Sequence, residues 1–164
     1  MPLLEPPDDP LRIARDPTVP LVDRLNAFED LFESEVGDTD LIRARNLERK
    51  YGLFQLYLKF EGSNPTGTQK DRIAFAQVSD ALRRGFDTVC VASCGNFGVA
   101  VALAAQRAGL SAVVFIPEPY HTRRGDELQA LGAVRVAARD VHRAFVVLSG
   151  PPHVRAGAYD ANPG

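Results

Sequence analysis

The chain has 164 residues, 45% hydrophobic and 24% charged, with a formal charge of −2, the profile of a globular domain large enough to bury a core. No basic excess attracts nucleic acid, no apolar run approaches the roughly 20 residues that cross a bilayer, and the acidic, proline-broken start is unlike a cationic signal sequence. The expected setting is cytoplasmic, with no nucleic acid and no membrane, and the expected partner is a small molecule.

Six prolines, Pro2, Pro6, Pro7, Pro10, Pro17 and Pro20, fall within the first 20 residues and predict an extended arm, because proline denies the backbone a donor. Residues 22–34 can form a short helix. Residues 40–50 hold Leu41, Ile42 and Leu47 among charges, with no period that assigns them. Residues 53–60 alternate enough for a strand. Residues 62–68 are a loop by composition, and residues 70–84 form a helix with Phe75, Val78 and Leu82 on one stripe and Gly85 as its stop. Lys70 therefore stands where a loop becomes a helix.

Residues 88–92 are a continuous apolar strand. Residues 96–107 are a helix so rich in alanine and valine that both sides need cover, ending at Gly109. A strand at 111–116, a helix at 123–131, a strand at 133–138 and a final helix at 140–148 follow. After Pro151 and Pro152 the chain reads as loop, without a closing strand to seal a sheet edge. Strands that do not alternate, separated by helices, mean parallel βαβ units. The fold class is α/β, a three-layer parallel sheet with helices on both faces.

Of the 19 cationic residues 16 are arginine, and only Lys50, Lys59 and Lys70 carry an amine that can form an imine with an aldehyde cofactor. Cys90 and Cys94 lie four apart in an apolar segment without a nearby histidine, which fits buried, reduced thiols rather than a metal set. His121, His142 and His153 show no ligand spacing. Two loops carry the chemistry. The first, residues 59–72, reads K-F-E-G-S-N-P-T-G-T-Q-K-D-R; the second, residues 93–98, reads S-C-G-N-F-G between a buried strand and a helix N-terminus. Backbone N–H groups and the helix dipole at such a junction favour an anion. A phosphate-binding P-loop fails on spacing, since Thr68 and Gln69 separate Gly67 from Lys70. A dinucleotide fingerprint lacks its first glycine, which is Ser93 here.

The segment N-P-T-G-T-Q-K-D-R at residues 64–72 resembles the N-P-T-G-S-x-K-D-R signature of threonine synthases, and S-C-G-N-F-G resembles the S-x-G-N-x segment that follows it in the same enzymes. Both belong to the tryptophan synthase β-like, fold type II, pyridoxal-phosphate enzymes. The resemblance implies pyridoxal 5'-phosphate as cofactor, with Lys70 as its Schiff-base anchor and as the catalytic base. It makes Asn96 the partner of the ring oxygen, and puts Ser93, Gly95 and Phe97 beside the substrate carboxylate. Asp71 and Arg72 are expected to orient the loop. The chain departs from the pattern at Asp40, Gln69, Cys94 and Phe97; the last removes a hydroxyl next to the substrate.

The implied activity is that of a lyase making threonine from O-phosphohomoserine, with cysteine synthase-type β-replacement, supported by K-D-R-I-A at residues 70–74, as the alternative. A non-catalytic remnant is the reading from a different class. The resemblance also implies a C-terminally truncated member. It would hold the N-terminal part of the large cofactor domain in residues 1–85, a small βαβ substrate domain in residues 86–150, and in residues 151–164 the start of the return to a further half. A homodimer or a complementing C-terminal half is the expected protein partner.

Overall fold

A computed structural model describes residues 9–93, 95–118, 124–139 and 157–162. The expected helix at 140–148, Cys94, the three histidines and the first eight residues lie outside the described residues. Within the expected extended arm, residues 10–15 instead form a short helix, α1 (Pro10–Arg15). Proline costs nothing at the first helical position, whose N–H has no partner in the helix anyway, and the Asp9 carboxylate accepts from the Leu11 N–H at 3.1 Å. Helix α2 (Leu21–Glu35) buries Ala27, Phe28 and Leu31. Its Arg24 reaches back to the carbonyls of Ala14 and Ala108, so one cation closes two helix ends that expose unpaired oxygens.

The stretch at 40–50 resolves into strand β1 (Leu41–Arg43) and helix α3 (Arg45–Tyr51). The strand expected over residues 53–60 contracts to β2 (Tyr57–Lys59), antiparallel to β1. The reason is local: Gln55 takes a positive φ of 57°, which breaks an extended run, and the Leu56 N–H turns to the buried Glu48 carboxylate at 2.7 Å. Leu41, Ile42, Tyr57 and Leu58 of this hairpin remain exposed.

Helix α4 (Lys70–Arg83) follows the expected stripe, with Phe75, Val78 and Leu82 all buried. Beyond it lie strand β3 (Thr88–Ala92), helix α5 (Asn96–Ala108), strand β4 (Ser111–Pro117), helix α6 (Gly125–Ala130) and strand β5 (Val134–Ala138). The sheet is parallel in the order β5-β4-β3, with α5 packed on β3 and β4 and touching α6. The two crossover helices touch each other, α5 on β3 and β4 and α6 on β5, which places both on one face, as crossovers of one hand advancing the same way require. On β4 that face is Ala112, Val114 and Ile116, all buried, while Val113 and Phe115 opposite are half-buried.

The closing residues depart from expectation. Tyr159–Asp160 form strand β6, which pairs parallel with β3 and takes the sheet edge that the sequence reading leaves open. The Asn162 side chain extends the seam by accepting from the Ala92 N–H at 3.0 Å. One core cluster then runs from Ala14 through α4, α5 and the sheet to Ala161. Cys90 is free and buried within β3, and burial raises its thiol pKa. Among the described residues no helix is long and apolar enough to cross a membrane.

Gly109 ends α5 at φ +68°, and a Cβ there would lie 2.5 Å from the Arg15 carbonyl oxygen. The obstacle is backbone and cannot rotate away. Gly109→Ala is therefore expected to destabilise the chain by about 2–5 kcal/mol, from roughly 1–2 for the left-handed conformation and about 1–3 for the overlap. A lower urea midpoint at unchanged slope is the measurement.

Candidate active site

The lysine loop is shaped by its own polar groups. Gly67, at φ +78°, closes a tight turn by donating to the Asn64 carbonyl at 2.8 Å, a conformation that favours glycine. The Asn64 side chain donates to Glu61 and accepts from the Gly37 N–H at 3.0 Å. Arg72 grips both Glu61 oxygens, at 2.8 and 2.9 Å, and donates also to the Gly37 carbonyl and the Thr39 hydroxyl. A Cβ on Gly37 would meet this guanidinium at 2.6 Å. The expectation that Arg72 orients the loop thus has its geometry, and the segment at residues 37–39 is its counterpart.

These bonds, led by those from Arg72, hold the Glu61 carboxyl at about 2 against the usual 4.5. A depressed carboxylate contributes stability that is complete above the unfolded value and is lost as pH falls through the folded one. Acid is therefore expected to loosen this clasp between pH 4.5 and about 2. In Glu61→Gln that part of the acid dependence should vanish and the variant should be weaker at neutral pH. Comparison of acid unfolding curves checks both.

Asp71 works from the other side. Its buried Oδ2 accepts from the Thr66 N–H at 3.0 Å and the Thr66 hydroxyl at 2.9 Å, folding the loop onto the first turn of α4. Among the described residues its buried Oδ1 has no hydrogen-bond partner, and desolvation raises the carboxyl pKa. Lys70, the first residue of α4, is exposed, with its N–H on the Thr68 hydroxyl. Among the described residues its ammonium makes no hydrogen bond or ion pair.

At the second loop the Ser93 hydroxyl oxygen accepts from the N–H groups of Gly98, at 3.0 Å, and Gly95, at 3.4 Å. Its proton is left to donate. Gly98 lets α5 approach β4, since a Cβ there would stand 3.0 Å from Val114. Among the described residues nothing lies within 4 Å of a Cβ placed on Gly95. Phe97 turns its ring to the core, so its backbone is what it presents at the helix end. The Asn96 and Phe97 N–H groups are first-turn donors that the helix itself does not use.

The two loops meet through Arg124. It donates from Nη1 to the Asn96 Oδ1 at 2.8 Å and from Nη2 to the Thr66 carbonyl at 3.0 Å, while its Nε and Nη2 hold Glu127. The sequence reading gave Arg124 no role, and no spacing rule could, because its partners lie 28 and 58 residues away. Asn64 and Thr66 were legible as part of the signature at residues 64–72 and Glu61 as part of the loop before it, but none was given a role.

An exposed amine at the end of a loop of fixed shape, and the positive end of a parallel-sheet helix that Arg124 ties to that loop, are together the kind of arrangement in an α/β protein that suits an anionic, carbonyl-bearing group. The family model described as "Pyridoxal-phosphate dependent enzyme" matches residues 32–150, and the chain belongs to that family. Its cofactor is pyridoxal phosphate, and the exposed amine of Lys70 and the donors of α5 fit such a group.

Among relatives, the chain is 43% identical to a threonine synthase of Methanosarcina acetivorans over 81 residues, which is 49% of this chain and 20% of that enzyme. It is 35% identical to a cystathionine beta-synthase of Apis mellifera over 103 residues, 60% of this chain and 20% of that enzyme. The solved cysteine synthase of Entamoeba histolytica superposes with a TM-score of 0.64 at 19% identity, covering 78% of this chain and 41% of that one, a likeness of fold alone. The chain spans about a fifth of the length of the curated relatives named here.

Proposed function

We propose that the chain is the lysine-bearing part of a threonine synthase-like lyase, which turns O-phosphohomoserine and water into threonine and phosphate by β,γ-elimination and hydration. The observation that carries this reading is the loop at residues 64–72, whose N-P-T-G-T-Q-K-D-R wording stands beside the threonine synthase relatives. When bound, pyridoxal phosphate supplies an aldehyde that captures amines and a ring that accepts electron density from the neighbouring carbon.

In this reading Lys70 holds the group through Nζ and, once free, takes and returns the proton at the substrate α carbon. Asn96 binds the ring oxygen. The Ser93 hydroxyl and the Phe97 N–H hold the substrate carboxylate beside Gly95, assisted by the dipole of α5. Asp71 and Arg72 keep the loop in shape and touch no reacting atom.

A second reading, β-replacement on an O-activated serine, is favoured by the longer stretch shared with cystathionine beta-synthases. Phe97, which brings no hydroxyl to the carboxylate, fits either substrate. The test is to supply the gene's whole product, loaded with cofactor, with O-phosphohomoserine and O-acetylserine in parallel. Phosphate release with threonine formed supports the lyase; acetate release alone replaces it with the second reading. If the cofactor is retained and neither substrate is turned over, both readings fail in favour of a non-catalytic member.

A further inference from the structure

Arg124 stands where the two loops meet and is committed on every side. Its Nε–Nη2 edge lies on the Glu127 carboxylate at 2.6 to 3.1 Å, its Nη1 on Asn96 and its Nη2 on Thr66. Its side chain is 20% exposed, against 49% for Glu127. A guanidinium carries five donors and no acceptor, so it can meet an amide only at the oxygen. With Oδ1 taken, the Asn96 NH2 is the end left for a ligand. A free asparagine at a helix start could offer either end.

We propose that Arg124 is a positioning residue. It fastens the lysine loop to the head of α5 and turns the Asn96 amide so that its NH2 meets the bound group, making Asn96 a reader of an acceptor oxygen. The inference rests on the assignment of Asn96 to the cofactor ring, and it adds the residue that sets the polarity of that contact. The Thr66 carbonyl is held by Arg124 while the Thr66 N–H and hydroxyl are held by Asp71, so the loop four residues ahead of Lys70 is pinned from two elements. Glu127 anchors the far edge of the guanidinium, which keeps Nη1 on the amide.

Hydrogen exchange on the cofactor-free chain tests the latch itself. In Arg124→Ala the hydrogen-bonded amides of Thr66, Gly67, Lys70 and Gly98 are expected to exchange about tenfold faster, while those of β3 and β4 keep their rates. Unchanged rates in both loops overturn the proposal. So does a uniform acceleration that includes β3 and β4, because Arg124 would then be a general structural residue. Should Arg124→Ala fail to fold, Glu127→Gln frees the anchored edge with Arg124 in place and is expected to move the same amides by less.

Asn96→Asp separates the latch from binding. A carboxylate accepts a stronger, charge-assisted bond from Arg124, so exchange at the Gly98 amide slows. Pyridoxal phosphate affinity nevertheless falls below that of Asn96→Ala, because an acceptor now faces an acceptor. Affinities in the double variant complete the cycle: Arg124→Ala weakens binding about tenfold in the native background and adds nothing once Asn96 is alanine. An undiminished effect there overturns the positioning role. If Asn96→Ala alone leaves affinity unchanged, the assignment of Asn96 to the ring fails, and the exchange rates still decide the latch.

Discussion

Lys70→Ala is expected to abolish covalent capture of pyridoxal phosphate while leaving the fold intact. The chain has three lysines, and the other two are engaged: Lys59 donates to the Thr39 carbonyl and Lys50 lies over the Tyr51 ring at 5.2 Å. Lys70 is exposed at the start of α4 and carries no tertiary bond through its amine among the described residues. An exposed substitution of this kind changes stability by about 0.5 kcal/mol or less. The loss of the amine removes both anchor and base, and the base alone accounts for roughly 10²–10⁴ in rate. Borohydride reduction of the cofactor-treated protein, followed by peptide mass mapping, reads the anchor directly. The label should sit on Lys70 in the native chain and be absent from the variant; a label on Lys50 or Lys59 would sink the assignment.

Phe75→Ala is expected to do the opposite, costing stability through the same helix. Phe75 is fully buried on α4 and stacks between Phe28, at 5.6 Å, and Phe32, at 5.8 Å, of α2. Removing a buried phenylalanine costs about 3–5 kcal/mol, from lost transfer energy and the cavity left behind. The offset stack adds to that, because the ring edges and faces no longer meet. For a chain of this size the melting temperature should fall by about 6–20 °C. A change below about 1 kcal/mol would show that the aromatic stack does not anchor α4. The pair of variants separates the two ends of one helix: Lys70 presents chemistry at its exposed start, and Phe75 ties it to the core just over one turn later.

Much of the fold was legible because its signals are local. The stripe of Phe75, Val78 and Leu82 and the alanine-rich run from Asn96 to Ala108 fix helix type and burial by period alone. The unalternating strands β3 and β4 name a parallel sheet for the same reason. The misreadings also have local causes. The proline-rich start hides a helix because Pro10 falls at the one position where proline suits one. The strand at 53–60 shrinks because Gln55 leaves the extended region. The closing strand β6 is two residues long, too short to show a period, and exists because β3 has an edge to offer it.

The site divides in the same way. The motif at residues 64–72 and the serine, glycine and asparagine that open α5 are contiguous in the chain, so the sequence by itself determined the family, its cofactor and the lysine on which the proposed chemistry turns. What holds those two segments in register was decided only by the tertiary structure. Arg72 with Gly37 and Glu61, Asp71 with Thr66, and Arg124 across Thr66 and Asn96 are pairings of charge and hydrogen bond. Local pattern follows from the backbone's own periods, whereas a guanidinium acts on whatever carbonyl or amide folding brings within 3 Å, and nothing in residue order announces which one that will be.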